Sequence, residues 1–261
     1  MSEHNIIHIP ITINEPFDLK HHAQNATHIK IIIEPHAHIT LYDSGTSAIK
    51  SIEVILGLGA HLFWVSDCPH DNLVIHCMAH SKIYYMQVIG KATTTSCQHL
   101  AINMQEEDAQ SNVRIFPFLN DAQQCEYNTL QQHDFSTTTS DLQIIGHVGG
   151  NAQFVHGSMI NVKSSLAAIR IVQKTVMFLS GPHVKAYARP SFDIASKDVH
   201  CTHGAALGAL DENQLWYLQS RGINQRSATH LIIQSRCLAS ISKEIPHHVH
   251  EYICSIIVAN Q

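Results

Sequence analysis

Ile33-Glu34-Pro35-His36-Ala37-His38-Ile39 and Leu56-Gly57-Leu58-Gly59-Ala60-His61-Leu62 repeat one plan: a strand ends, a turn closes on a small residue, and another strand starts. Ala37 and Ala60 lie 23 positions apart, a coil length that suits a solenoid of stacked short strands. Working outward from this pair, the pattern predicts strand after strand from about Thr27 to His203. Ser51–Leu56, Asn72–Cys77, Lys82–Val88, Asn112–Phe116, Asp141–His147, Ala152–Val162 and Asp198–His203 are examples. Each is rich in β-branched or aromatic residues with frequent alternation. Asp43-Ser44-Gly45, Cys68-Pro69-His70-Asp71 and Gly149-Gly150-Asn151 punctuate them as turns. No apolar period of helical length holds in that stretch. Spacing alone favours a β-helix and leaves a sandwich or barrel open, since those folds place strands at similar intervals.

After Leu210 the texture changes. Asp211 can cap a helix with Gln214 three residues on, Leu215 and Leu218 share its face, and Arg221-Gly222 can close it, Gly222 being suited to a left-handed position. Asn224 can cap a second helix, in which Ala228, Leu231, Ile232, Leu238 and Ala239 follow helical spacing. Pro246 can open a third, striped by Val249, Tyr252, Ile253, Ile256 and Ile257. The resulting division is a β body over residues 1–209, with 1–26 an irregular lead-in, and a helical subdomain over 210–261. Three short helices cannot bury themselves alone. They cap the end of the solenoid, pack on the β body, or bind a partner.

Charged residues make up 14% of the 261, and the formal net charge is −5. Clustered Lys and Arg, the mark of a nucleic-acid surface, do not occur. The apolar runs are too short to span a bilayer, and Met1-Ser2-Glu3-His4 does not open a secretory leader. The expectation is a cytoplasmic chain that binds neither nucleic acid nor membrane. The seven cysteines are odd in number and form no CxxC pair, which fits reduced thiols and not a disulfide or zinc framework. The 22 histidines run along the whole chain and read mainly as surface polar residues, because a metal site needs several ligands converging in space. No GxxxxGK[ST] phosphate loop occurs, so any ATP use belongs to a partner.

The segment Lys197 to Gly208 holds the most chemistry. In a strand, Val199, Cys201 and His203 share one face, which sets a thiol beside an imidazole, both ligands for soft or borderline metals. Gly204 then permits a bend or the close approach of another backbone. Taken alone, the pair reads equally as a buried cysteine beside a hydrogen-bonded histidine. No third group marks a catalytic dyad.

Asp198-Val199-His200-Cys201-Thr202-His203-Gly204-Ala205-Ala206-Leu207-Gly208, followed by Asp211-Glu212-Asn213-Gln214-Leu215-Trp216-Tyr217-Leu218-Gln219-Ser220-Arg221-Gly222-Ile223, resembles the C-terminal signature of the SufB/SufD family of iron–sulfur cluster assembly scaffolds. The Cys-Thr-His-Gly-Ala and Tyr-Leu-x-Ser-Arg-Gly-Ile strings lie nearer to SufD. The likeness runs from about Thr27 to Ser240 and is strongest from Pro190 to Ile223.

The resemblance implies a right-handed parallel β-helix followed by C-terminal helices. It implies a non-catalytic scaffold that pairs with a SufB-like subunit through the β-helix and binds a SufC-like ABC ATPase through the helices. A homodimer is the alternative when the chain is isolated. His203 falls at the family position implicated in cluster assembly at the SufB–SufD interface, with Cys201 at the neighbouring cysteine position. Leu215, Trp216, Tyr217, Leu218, Arg221, Gly222 and Ile223 fall on the implied SufC-docking surface. The cluster would form transiently with SufB and ATP would sit on SufC, leaving no cofactor or metal stably bound by this chain. The sequence departs from the family at Lys197-Asp198, where Asp-Asp is usual, and at His200, where Lys is common. Ser164–Thr175 lacks the usual lysine–threonine–aspartate pattern, and no helical segment is expected ahead of the β-helix.

Two enzyme readings compete. His36-Ala37-His38 in a His-rich β protein allows a cupin-like metal-dependent enzyme built on His36 and His38, although the expected carboxylate a few residues on is missing. A carbohydrate-active β-helix needs paired carboxylates, and acidic residues here are sparse.

Overall fold

The computed structural model describes residues 4–10, 16–22, 26–44, 49–90 and 95–260. Among the described residues, sixteen strands precede the C-terminal helices: β1 (His4–Ile9), β2 (Phe17–Asp18), β3 (His28–Ile33), β4 (His38–Asp43), β5 (Ser51–Leu56), β6 (His61–Ser66), β7 (Asn72–Cys77), β8 (Lys82–Ile89), β9 (Thr95–Met104), β10 (Gln110–Leu119), β11 (Gln124–His133), β12 (Thr139–Gly149), β13 (Gln153–Val162), β14 (Ile169–Ser180), β15 (Lys185–Ile194) and β16 (Val199–Gly208). A single helical turn, α1 (Leu19–His22), lies between β2 and β3. The odd strands form one eight-stranded sheet and the even strands another, each in chain order. Every strand pairs in parallel with the strand two before it, as β14 does with β16. One odd strand and the next even strand therefore make a coil, and the coils stack into a β-helix. This parallel stacking excludes the sandwich and the closed barrel.

Register explains why the sequence repeat is imperfect. His38 pairs with His61, 23 residues on, and His61 with Lys82, 21 on. Later partners, such as Thr139 with Arg170, lie 31 apart because the strands lengthen from six residues to ten or more. One feature survives the drift. His36, Gly59, His80, Asp108, Thr137 and Ala168 all have positive φ, and they occupy the same turn in successive coils. The amide of His36 donates to Leu58, that of Gly59 to Ala79, and that of His80 to Glu107, so each turn is tied to the next coil. The small residue after this position is sealed: Ala37, Ala60, Ser81 and Ala109 are all fully buried.

Alternation drives the inner residues between the sheets, where Ile31, Ile52, Leu62, Ile75, Val113, Leu142 and Phe154 belong to one continuous core. The lead-in expected to be irregular is corrected here. β1 pairs along its whole length with β3, and Ile9 is fully buried in the core. The stretch was hard to read because His4-Asn5-Ile6-Ile7-His8-Ile9 is short and its partner lies more than 20 residues away.

Three helices follow: α2 (Glu212–Ser220), α3 (Gln225–Ser240) and α4 (His247–Ala259). Asp211 accepts from the Asn213 amide at 2.9 Å and Asn224 from the Ser227 amide at 2.9 Å, which satisfies donors that a helix start leaves open. Gly222 takes the left-handed φ of +85° after α2. Strands β8 and β10 are apolar on both faces, and their outer Met86, Val88, Phe116 and Phe118 need cover. α3 and α4 supply it with Ile233, Cys237, Val249, Ile253 and Ile257. In α3 the buried face runs through Ala228, Ile232, Ile233 and Cys237, while Leu231 remains 47% exposed. Arg114 pins the arrangement: its Nε donates to the Ser240 carbonyl at 2.7 Å and its guanidinium meets Asp141 at 2.7 Å. Tyr84 and Glu244 make a second tie. The helices thus lie along the side of the solenoid and do not cap its end. No helix among the described residues is long and apolar enough to cross a membrane.

Candidate functional site

β16 is the last strand of its sheet, with β14 on one side and no strand on the other among the described residues. β15 ends the facing sheet in the same way. Alternation turns Val199, Cys201 and His203 inward and leaves His200 and Thr202 exposed. Val199 and Cys201 pack against Ile160, Val162, Ile169 and Ile171. The His203 ring meets Phe192 of β15 edge-on, with centroids 5.5 Å apart. Thiol and imidazole are therefore half-buried in the mouth of the solenoid, backed by β14 and open toward its free end. Burial pushes the Cys201 thiol up, so at neutral pH it is protonated and is no activated nucleophile. The Nδ1 atom of His203 is buried without a hydrogen-bond partner among the described residues.

A second histidine stands behind the mouth. His156 of β13 is 1% exposed, and its two ring nitrogens meet Thr129 at 3.0 Å and Thr175 at 2.8 Å. Burial, and then the neighbouring His203, pushes it down to about 4, so it is neutral at physiological pH. Behind the half-buried Cys201 and His203 the mouth thus holds a neutral His156, with apolar walls from Ile160, Val162, Ile169 and Ile171.

The rim is shaped for contact. Tyr187, Phe192 and Leu207 are 45%, 47% and 37% exposed on the two terminal strands. Gly204 does not bend β16, which runs on to Gly208. A Cβ added at Gly204 or at Gly208 would meet nothing within 4 Å, so the close approach allowed by Gly204 is not used among the described residues.

The second group of sequence candidates lies on and after α2. None of its residues is buried; Trp216 is 70% and Tyr217 54% exposed, while Leu215, Leu218 and Ile223 are half-buried. Arg221 stacks over the Tyr217 ring at 5.4 Å and Gly222 makes the turn into α3. Tyr217 and Leu218 line a shallow cavity of about 400 Å³ with Ile232 of α3. The two sites are separate: one is the solenoid mouth, the other a helix on its flank.

The cupin-like reading is corrected by the fold. His36 occupies the positive-φ turn and His38 points outward from β4, its ring 4.3 Å from that of His61. Asp43 faces the interior and bonds His70. No three His, Cys, Asp or Glu side chains converge as metal ligands among the described residues. Sequence reading missed Phe192, His156 and Gln173, which surround His203; only the register between distant strands brings them there.

Comparison with known proteins agrees with this architecture. The family model described as the SufBD core domain of SUF-system FeS cluster assembly matches residues 17–236. The iron-sulfur cluster assembly protein SufD of Escherichia coli is 23% identical over 223 residues, covering 82% of this chain and 52% of the relative. A SufBD family protein of Mycobacterium leprae is 25% identical over 239 residues, covering 82% of this chain and 58% of its own. The chloroplastic protein ABCI7 of Arabidopsis thaliana is 34% identical over 92 residues, covering 35% of this chain and 19% of its own. The chain spans about half the length of the curated relatives that it matches over most of its length.

Proposed function

Since the chain belongs to the SufBD family of iron–sulfur cluster assembly proteins, we propose that it is a non-catalytic scaffold of a SufBCD-type complex and that its chemistry arises between chains. The observation that supports this most is the position of Cys201 and His203, half-buried on a strand whose outer edge is unpaired among the described residues. An unpaired edge offers a row of backbone donors and acceptors that a related β-helix can continue. A SufB-like subunit docked there would close the mouth and bring its own groups against the thiol and the imidazole. Iron and sulfide are cargo in this reading. Cys201 and His203 hold them transiently, the partner ligates the cluster, and this chain retains no cofactor.

Trp216 and Tyr217 suit a SufC-like ATPase, because exposed aromatic side chains are the usual anchors of an interface. Leu215, Leu218, Arg221, Gly222 and Ile223 complete that surface. ATP binds the partner, and closure of the ATPase pair strains the contact at the solenoid mouth. Without SufB, the same edge pairs with a second copy. The assembly operates in the cytoplasm.

The test is co-expression with SufB-like and SufC-like partners, followed by size-exclusion chromatography and cluster assembly in the purified complex. His203→Ala should assemble as a complex yet lose on the order of tenfold in cluster formation. Full activity of that variant would remove the role given to His203. Trp216→Ala with Tyr217→Ala should shed the ATPase while keeping the SufB-like partner. Retention of the ATPase would move the docking surface elsewhere.

A further inference from the structure

Gln173 of β14 is fully buried, and neither its Nε2 nor its Oε1 has a hydrogen-bond partner among the described residues. It sits in a column of inward residues stacked by register: Trp64, Tyr85, Val113, Leu142, Gln173 and His203. The column is apolar or aromatic until Gln173, and a leucine would fill that place without leaving a buried amide unpaired. Of the buried polar side chains nearby, His156 has both ring nitrogens satisfied, by Thr129 and Thr175, and Gln131 has its amide nitrogen satisfied by Ser140, whereas Gln173 has neither of its polar atoms satisfied among the described residues. Gln173 is therefore a local departure from good packing, and such departures belong where chemistry is done.

Its neighbour supplies the reason. Gln173 and His203 are partners on adjacent strands, both facing inward, and strands lie about 4.8 Å apart. The His203 Nδ1 is likewise buried and unpartnered. An imidazole that presents a lone pair from one nitrogen keeps its proton on the other, and an acceptor at that second nitrogen selects the tautomer. Of His203's two nitrogens, Nδ1 is the one buried without a hydrogen-bond partner among the described residues.

We propose that Gln173 is a positioning residue for His203. The Gln173 Oε1 and the His203 Nδ1 make no direct hydrogen bond, so Oε1 accepts the Nδ1 proton through one bridging water, and this leaves the Nε2 lone pair free to face the open end. No bond within the chain is made or broken; one tautomer is chosen over the other. The inference rests on the reading of His203 as an interface group, but its own test does not.

The experiment uses the full chain labelled with nitrogen-15, without partners, and reads histidine tautomers from two-bond proton–nitrogen correlation spectra. In the unmodified chain His203 should show a protonated Nδ1 and an unprotonated Nε2. Gln173→Leu should move the proton to Nε2 or mix the two forms, with a melting temperature equal to or above that of the parent. Gln173→Glu, which keeps an acceptor, should retain the Nδ1–H form. In the complex, Gln173→Leu should reduce cluster formation on the order of tenfold. An unchanged tautomer in Gln173→Leu would overturn the proposal, as would a marked fall in melting temperature, since that would give the amide a structural bond. If the tautomer shifts but His203→Ala keeps full assembly activity, the positioning role stands and the functional reading of the mouth fails.

Discussion

Buried histidines held only by hydroxyl groups give this chain an acid-sensitive interior. His133 meets Thr138 at 2.7 Å and Ser140 at 2.8 Å, and His156 meets Thr129 and Thr175. Burial is the main cause that pushes both down to about 4; Asp134 works weakly against it at His133, and His203 adds to it at His156. An unfolded chain takes up these protons near pH 6.5, so it gains relative to the folded chain as pH falls from there. The stability they support is whole above about 6.5, is lost progressively down to about 4, and changes no further below that. At most about 3 kcal/mol is at stake for each group. His70 acts in the opposite sense. Burial alone would lower it, but the hydrogen bond and charge of Asp43 raise it. Its contribution is present below about 6.5 and fades as pH rises through the folded value. Urea melts at pH 7.0 and 4.5 should show a loss of stability at the lower pH that His156→Gln reduces; equal stability at both would contradict this account. At this scale Cys201 and His203 were legible because two-residue alternation puts them on one face whatever the strand pairs with. Gln173 and His156 were not, because their proximity to His203 depends on coil lengths that vary from 21 to 32 residues.

Apolar alternation made several strands legible, and a polar interior hid β11. β5 and β7 were read from their sequences because Ile52, Val54 and Leu56, and Leu73, Ile75 and Cys77, are apolar at every second position in runs rich in β-branched residues. β11 was not, because its inward residues are Cys125, Tyr127, Thr129, Gln131 and His133. Those polar groups bond across the sheets, as Gln131 does to Ser140 at 2.7 Å, so the strand obeys burial without showing a hydrophobic pattern. The stacked positive-φ turn is a second element-level constraint. At Ala168, φ is +56°, a conformation that disfavours a Cβ by roughly 1–2 kcal/mol. Ala168→Gly relieves that strain, and the extra freedom of glycine in the unfolded chain offsets part of it. A net gain of about 0.5–1 kcal/mol in chemical denaturation is expected; a loss would mean that the turn holds Ala168 without strain. The helical layer depends on burial in the same way. Ile253 is fully buried in the cluster between α4 and the outer face of the even-strand sheet. Ile253→Ala should destabilise by about 2–5 kcal/mol, with hydrogen exchange rising first in α3 and α4. Exchange rising equally in β8 and β10 would show instead that helices and sheet open together.

Along the whole molecule the interior changes character from one end to the other. The early coils are filled mainly by Ile31, Val54, Leu62 and Ile75, with the buried Asp43–His70 pair at one edge, whereas the late coils enclose His133, His156, Gln173 and Thr175 among apolar residues before the mouth at Cys201 and His203. The three helices could have covered that mouth and instead lie along the side, anchored by Arg114 and the apolar outer face of β8 and β10. Solenoids need an end cap, because the last coil exposes both its interior and its backbone edges. Here β15 and β16 end the two sheets with Tyr187, Phe192 and Leu207 exposed, the edge at which the proposed SufB-like partner would dock. On that proposal, a second copy of the chain covers the same edge when the partner is absent. Sedimentation of the isolated protein should therefore depend on concentration, shifting toward a dimer as concentration rises. Leu207→Lys places a solvated charge on the terminal strand, a standard block to edge pairing, and should hold the chain as a monomer while leaving its melting profile unaltered at low concentration. A Leu207→Lys protein that still dimerises as tightly as the parent would place the self-contact on another face, with the exposed aromatic side of α2 the next to test.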